Sequence, residues 1–147
     1  MAMADPETFL RMGREVLARQ PFSVLLGAEL RALEPGRCEL AVAITEPLKQ
    51  QMGFAHGGVV SYLADNALTY AGGTAMQVPV VTSEYKINYV RPAVGEHLVA
   101  RARAVHVGQS QAVCLCEVYA QRAGQEMLCA IAQGTIAKLA EKNETTS

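Results

Sequence analysis

The sequence carries no excess of either charge: 13 Lys and Arg stand against 14 Asp and Glu, for a formal net charge of −1. That balance removes the reason to expect nucleic acid or an anionic membrane surface as a partner. No apolar run reaches the length of a membrane span, and the opening MAMADPETFL has neither the basic region nor the apolar core of a signal peptide. A soluble, cytoplasmic protein is expected. The four cysteines, Cys38, Cys114, Cys116 and Cys129, form no C-x-x-C pair, and no histidine stands at metal-finger spacing from them. Cys114 and Cys116 lie two apart in QAVCLCEVYA, on one face of a strand, and read as buried small hydrophobes. No metal or cofactor is called for. Repeats, linkers and low-complexity segments are also missing, so residues 1–147 are expected to form a single domain.

Apolar residues, in contrast, are plentiful. They make up 50% of the chain, and the mean hydropathy is +0.12. In a domain this small, that abundance points to apolar surface covered by another subunit. An N-terminal helix is expected within residues 1–20: Asp5 can cap it, Pro6 suits its first turn, and Phe9, Met12, Val16 and Leu17 form a one-sided stripe. RQPFSVLLGAEL breaks at Pro21 and is expected to run extended. GAELRALEPGRCELAVAIT reads as two strands joined at Glu34-Pro35-Gly36, with Cys38, Leu40, Val42 and Ile44 alternating in the second. A long helix from about Gly57 to Met76 follows, hydrophobic nearly all round. Four more strands come after it, punctuated by Pro92, Gly95, Gly108-Gln109 and Ala123-Gly124, and short turns predict a meander of antiparallel neighbours. AEKNETTS, from residue 140, reads as a frayed polar tail. The order implies an α+β fold, an antiparallel sheet of about six strands wrapped around one central helix.

Chemistry concentrates in QMGFAHGGVVSYLADNALTYAGG, residues 51–73. Gly57 and Gly58 stand where the helix's unpaired N–H groups point outward at its positive end. With no side chains there, a ligand oxygen can approach the backbone, which is how an oxyanion hole is built from main chain alone. The alternative is an entry turn required by tight packing. Ser61, Asp65 and Thr69 recur every four residues as one polar stripe, flanked by Asn66. A buried carboxylate without partners is costly, so Asp65 must face hydrogen-bond donors, water or a cleft, and in a cleft it is a candidate base or nucleophile. Gly57 and Asp65 are separated by ~12 Å along a helix axis at ~1.5 Å per residue. One helix therefore cannot offer both groups to one carbonyl, and a shared site requires a second copy. His56, just before the glycines, reads as a residue that orients the loop. Arg91, Arg101 and Arg103 are candidates for phosphate or for a solvated strand face.

At these residues the sequence resembles the hot dog-fold acyl-CoA thioesterases, in the PaaI-like and THEM2-like branch. The resemblance runs from PFSVLLGAEL through GFAHGGVVSYLADNA and VTSEYKINYVRPAVGE to about Lys138. Its most specific element is G-x-x-H-G-G followed by Asp at this spacing, with YVRPAVGE as an independent match. The resemblance implies a sheet folded around a central helix and a homodimer or homotetramer with sites between subunits. It implies acyl-CoA, or an acyl carrier protein thioester, as substrate. The Gly57 N–H would polarise the thioester carbonyl, and Asp65 of the other subunit would activate water or attack directly. Gln50 stands where the family commonly carries an Asn that places thioester or water. Thr82, with Ser83 beside it, matches a hydroxyl that holds the water. His56, Gly58, Ser61, Asn66, Ser83 and Arg91 would surround the substrate. Two other readings share the fold: a hydratase or dehydratase of acyl thioesters, and a non-catalytic acyl-CoA-binding module. Base or nucleophile for Asp65, dimer or tetramer, and aryl, medium or long acyl chain stay open at this point.

Overall fold

A computed structural model describes residues 4–140; from residue 141 on, the expected polar tail lies outside the described residues. The first helix, α1 (Pro6–Ala18), is capped as expected: the Asp5 carboxylate accepts from the Thr8 N–H at 3.0 Å. Its buried side differs from the expected stripe. Gly13 and Leu17 are buried, while Met12 and Val16 stay 52% and 43% exposed. The reason is close approach: a Cβ on Gly13 would come within 2.5 Å of Leu33, so the helix lies against the first strand on its glycine.

The segment after Pro21 is helical rather than extended, as α2 (Pro21–Leu26). Proline fits the first helical position because its fixed φ is already helical, and Gly27 closes the turn in the left-handed region at φ 73°. The buried Ser23 anchors this short helix by donating to Gln20 Oε1 at 2.6 Å.

β1 (Glu29–Glu34) and β2 (Arg37–Ala43) form the expected hairpin. A 3-10 turn (Glu46–Leu48) and a loop lead to α3 (Gly57–Met76), which matches the expected central helix. β3 (Val80–Tyr89), β4 (His97–Val107), β5 (Gln111–Arg122) and β6 (Gln125–Lys138) complete one antiparallel sheet in the order β1-β2-β4-β5-β6-β3. The meander expectation therefore holds for β4-β5-β6 and fails for β3. That strand pairs with β6 at the far edge, because α3 carries the chain across the sheet before β3 begins. This is the hot dog arrangement, a curled sheet around a helix.

Side-chain size explains the curl. Leu63, Ala64, Ala67, Leu68 and Ala71 of α3 are fully buried against inward residues such as Leu40, Val42, Ala100, Cys114, Cys116, Val118 and Ile136. Each buried leucine is worth about 1.5–3 kcal/mol. Small residues let the sheet come close, and a Cβ on Gly72 would lie only 2.6 Å from Ile136. Cys114 and Cys116 are buried, as the strand pattern implied, and so are Cys38 and Cys129; all four are unpaired. Among the described residues, no helix is long and apolar enough to cross a membrane.

Candidate active site

The first turn of α3 has four backbone N–H groups to satisfy. Those of Val59 and Val60 reach the His56 carbonyl at 3.1 and 3.4 Å. That of Gly58 donates to Nδ1 of His56, the N-cap, at 2.8 Å. Among the described residues the Gly57 N–H has no acceptor. The two glycines are glycine for different reasons. A Cβ on Gly58 would press on His56 Nδ1 at 2.9 Å, whereas the nearest neighbour of one on Gly57 would be the Tyr89 side chain, at an ordinary 3.6 Å. Packing within the chain thus accounts for Gly58 and leaves Gly57 bare beside a pocket of about 390 Å³. Phe54, Val60, Tyr89, Arg91 and Cys129 share that pocket. Cys129 is no nucleophile there: it is 1% exposed, burial raises its thiol pKa to about 11, and it donates to the Val118 carbonyl at 3.2 Å.

Two turns further on, Asp65 is half-buried and accepts at Oδ1 from the Thr82 hydroxyl at 2.6 Å. Thr69 stands 2.9 Å from Thr82 Oγ1 and 2.9 Å from the Asp65 carbonyl oxygen, to which it can donate. Oδ2 of Asp65 has no donor among the described residues. One carboxylate oxygen is held and the other is free, and Asp65 lines a pocket of about 440 Å³ together with Phe22, Tyr62, Asn66 and Thr69. Gly57 lines the first pocket and Asp65 the second; neither pocket contains both.

The stripe of Gly57, Ser61, Asp65 and Thr69 meets one strand throughout. Tyr89 donates to the Gly57 carbonyl at 3.1 Å, Ser61 and Tyr85 share a hydrogen bond at 2.5 Å, and Thr82 serves both Asp65 and Thr69. Thr82 and Tyr85 are three residues apart and would ordinarily point to opposite faces of a strand. The β3–β6 register slips between Thr82, opposite Ile136, and Glu84, opposite Thr135. This bulge at Ser83 turns both hydroxyls to the helix and leaves Ser83 itself exposed.

The remaining sequence candidates are placed less directly. Gln50 turns its side-chain oxygen onto the Met52 N–H within its own loop. Asn66 donates to Gln20 Oε1 and Tyr62 Oη, each at 3.1 Å, and so ties α3 to α2 beside Asp65. Arg91 spends one guanidinium N–H on the Leu128 carbonyl at 3.1 Å, at the rim of the Gly57 pocket. Arg101 is held by Glu126 at 2.6 Å and Glu39 at 3.1 Å on the outer sheet face, away from both pockets. Tyr85, Tyr89, Tyr62, Ser23 and Gln20 were not singled out from the sequence. Only the tyrosine pair left a signal there, four apart and hence on one face of SEYKINY. No cluster of three or more His, Cys, Asp or Glu able to hold a metal occurs among the described residues.

The family model described as Thioesterase superfamily matches residues 52–126. A thioesterase family protein of Silicibacter pomeroyi is 37% identical, with a TM-score of 0.83 over 88% of this chain and 96% of that one. The E. coli PaaI protein of the phenylacetic acid degradation operon shares the fold at 21% identity, with a TM-score of 0.83 over 93% of this chain and 97% of its own. A 1,4-dihydroxy-2-naphthoyl-CoA hydrolase of Listeria monocytogenes is 27% identical over 114 residues, covering 76% of this chain and 90% of that protein.

Proposed function

The chain belongs to the thioesterase superfamily and is a thioester hydrolase, and from that premise we propose that it cleaves acyl-CoA thioesters at sites shared between two copies. The observation that carries this reading is the division of the site. Gly57, with its free N–H, and Asp65, with one free oxygen, sit on one helix stripe but line separate pockets. A single chain thus holds two halves, and a second copy placing its Asp65 at this Gly57 would complete each. Supporting features are the edge position of β3 and the exposure of Val81 near its start and Val90 just past its end, 45% and 52%. The CoA carrier is supported by the Listeria relative, whose name specifies a CoA thioester.

In this reading the Gly57 N–H donates to the thioester oxygen as charge gathers there. Asp65 takes a proton from water while the water oxygen bonds to the carbonyl carbon. The tetrahedral intermediate expels the thiolate, which recovers that proton and leaves as free CoA, and the acyl group departs as a carboxylic acid. If Asp65 attacks directly, a mixed anhydride forms first and water then cleaves it, with the same products. Thr82 holds the reacting carboxylate in either route. A hydratase reading would pair an imidazole with an acid, and among the described residues His56 makes no ion pair with a carboxylate, its Nδ1 accepting from the Gly58 N–H.

The test is thiol release from phenylacetyl-, hexanoyl- and palmitoyl-CoA by wild type and Asp65→Asn. Loss of the base or nucleophile is expected to lower kcat by about 10²–10⁴ while the fold persists. Near-normal turnover in the variant would remove Asp65 from the mechanism.

A further inference from the structure

Tyr89 has no part in the reaction as described so far, yet it touches the peptide unit that adjoins the oxyanion donor. Its hydroxyl donates to the Gly57 carbonyl at 3.1 Å, and its ring lies 3.6 Å from where a Gly57 Cβ would sit. On the other side of the same peptide unit, the Gly58 N–H donates to His56 Nδ1 at 2.8 Å. The Gly57–Gly58 peptide is therefore gripped at both polar atoms, by a side chain from the edge strand and by the helix's own N-cap.

A Gly-Gly pair is the most permissive backbone the chain could place here, and each glycine loses more freedom on ordering than any other residue. An oxyanion donor works by being aimed in advance, because reorientation during the reaction cancels its benefit. The sequence places the most mobile backbone where the least motion is wanted. The two side-chain hydrogen bonds resolve that conflict without adding a Cβ that would crowd a ligand.

We propose that Tyr89 is a positioning residue that, with His56, clamps the Gly57–Gly58 peptide and so aims the Gly57 N–H, while its ring forms the wall against which the bound thioester rests. The inference depends on Gly57 being the oxyanion donor of a thioesterase. It assigns separate tasks to the hydroxyl and the ring of one residue: the hydroxyl acts on kcat, and the ring acts on KM.

Two variants separate those tasks. Tyr89→Phe keeps the wall and removes the clamp. Release of thiol from phenylacetyl-CoA and hexanoyl-CoA is expected to show kcat lowered about three- to tenfold, the worth of one ordinary hydrogen bond, with KM within about twofold. Tyr89→Ala removes both, and KM is expected to rise as well. A Tyr89→Phe enzyme whose kcat stays within about twofold of wild type would overturn the clamp, and a Tyr89→Ala enzyme with unchanged KM would overturn the wall. A second readout needs no catalysis. In protein labelled with ¹⁵N-glycine, the Gly58 amide is expected to exchange faster in Tyr89→Phe than in wild type, and unchanged exchange would overturn the clamp. If wild type released no thiol from any acyl-CoA, the thioesterase reading would fall, while the exchange measurement would still decide whether the clamp exists.

Discussion

Within the one helix at the centre of this fold, neighbouring stripes do different work. Leu63, Ala64, Ala67, Leu68 and Ala71 are sealed against the sheet, with no measurable exposure. Gly57, Ser61, Asp65 and Thr69 are only half-buried, and each of them meets a hydroxyl of β3. The side chains of the sealed stripe are held by area and shape, which do not depend on direction. The half-open stripe is held by hydrogen bonds, which do. A wrapped helix can thus carry a carboxylate through its middle provided one strand of the wrapping is polar on its inner side. Here that strand is the last in the sheet order, where the wrapping ends.

Substitutions can pull the two stripes apart. The largest effect on folding is expected from Leu63→Ala, which leaves a cavity in the sealed stripe and costs about 2–5 kcal/mol. Chemical denaturation should register that loss, while kcat per folded molecule at low temperature stays close to wild type. A fall in kcat matching that of Asp65→Asn would show that the stripes are not separable. Thr82→Val is expected to behave in the opposite way. It preserves shape but removes the donor to Asp65 Oδ1, so kcat should drop about three- to tenfold with a stability change of about 1 kcal/mol or less. Unaltered turnover would mean that Asp65 does not need to be held.

The boundaries of α3, the β1–β2 hairpin, the capping role of Asp5 and the burial of Cys114 and Cys116 were legible because each rests on local rules. Periodicity, turn chemistry and strand alternation act over a few residues, and those residues are adjacent in the sequence. The stripe at Ser61, Asp65 and Thr69 was legible for the same reason. What faces it was not. Thr82 and Tyr85 reach the helix together only because of the bulge at Ser83, and nothing in VTSEYKINY marks that extra residue. The position of β3 beside β6 was equally hidden, since short connections favour sequential pairing and only the path of α3 overrides it. The helical turn at α2 was missed although Pro21 and Gly27 mark its two ends. Six residues give too little periodicity to read, and its stability comes from the tertiary bonds among Ser23, Gln20, Tyr62 and Asn66. On α1, Gly13 set the buried face where larger residues had been expected to do so.

The central claim is that each active site takes Gly57 from one copy and Asp65 from another. It is tested most directly by mixing two inactive proteins, Asp65→Asn and a variant blocked at the donor by Gly57→Val. Subunits exchanged at equal ratio give heterodimers that each contain one intact site, so activity should return to about a quarter of wild type if dimers form at random. Heterodimers shown to form yet remaining inactive would contradict the account.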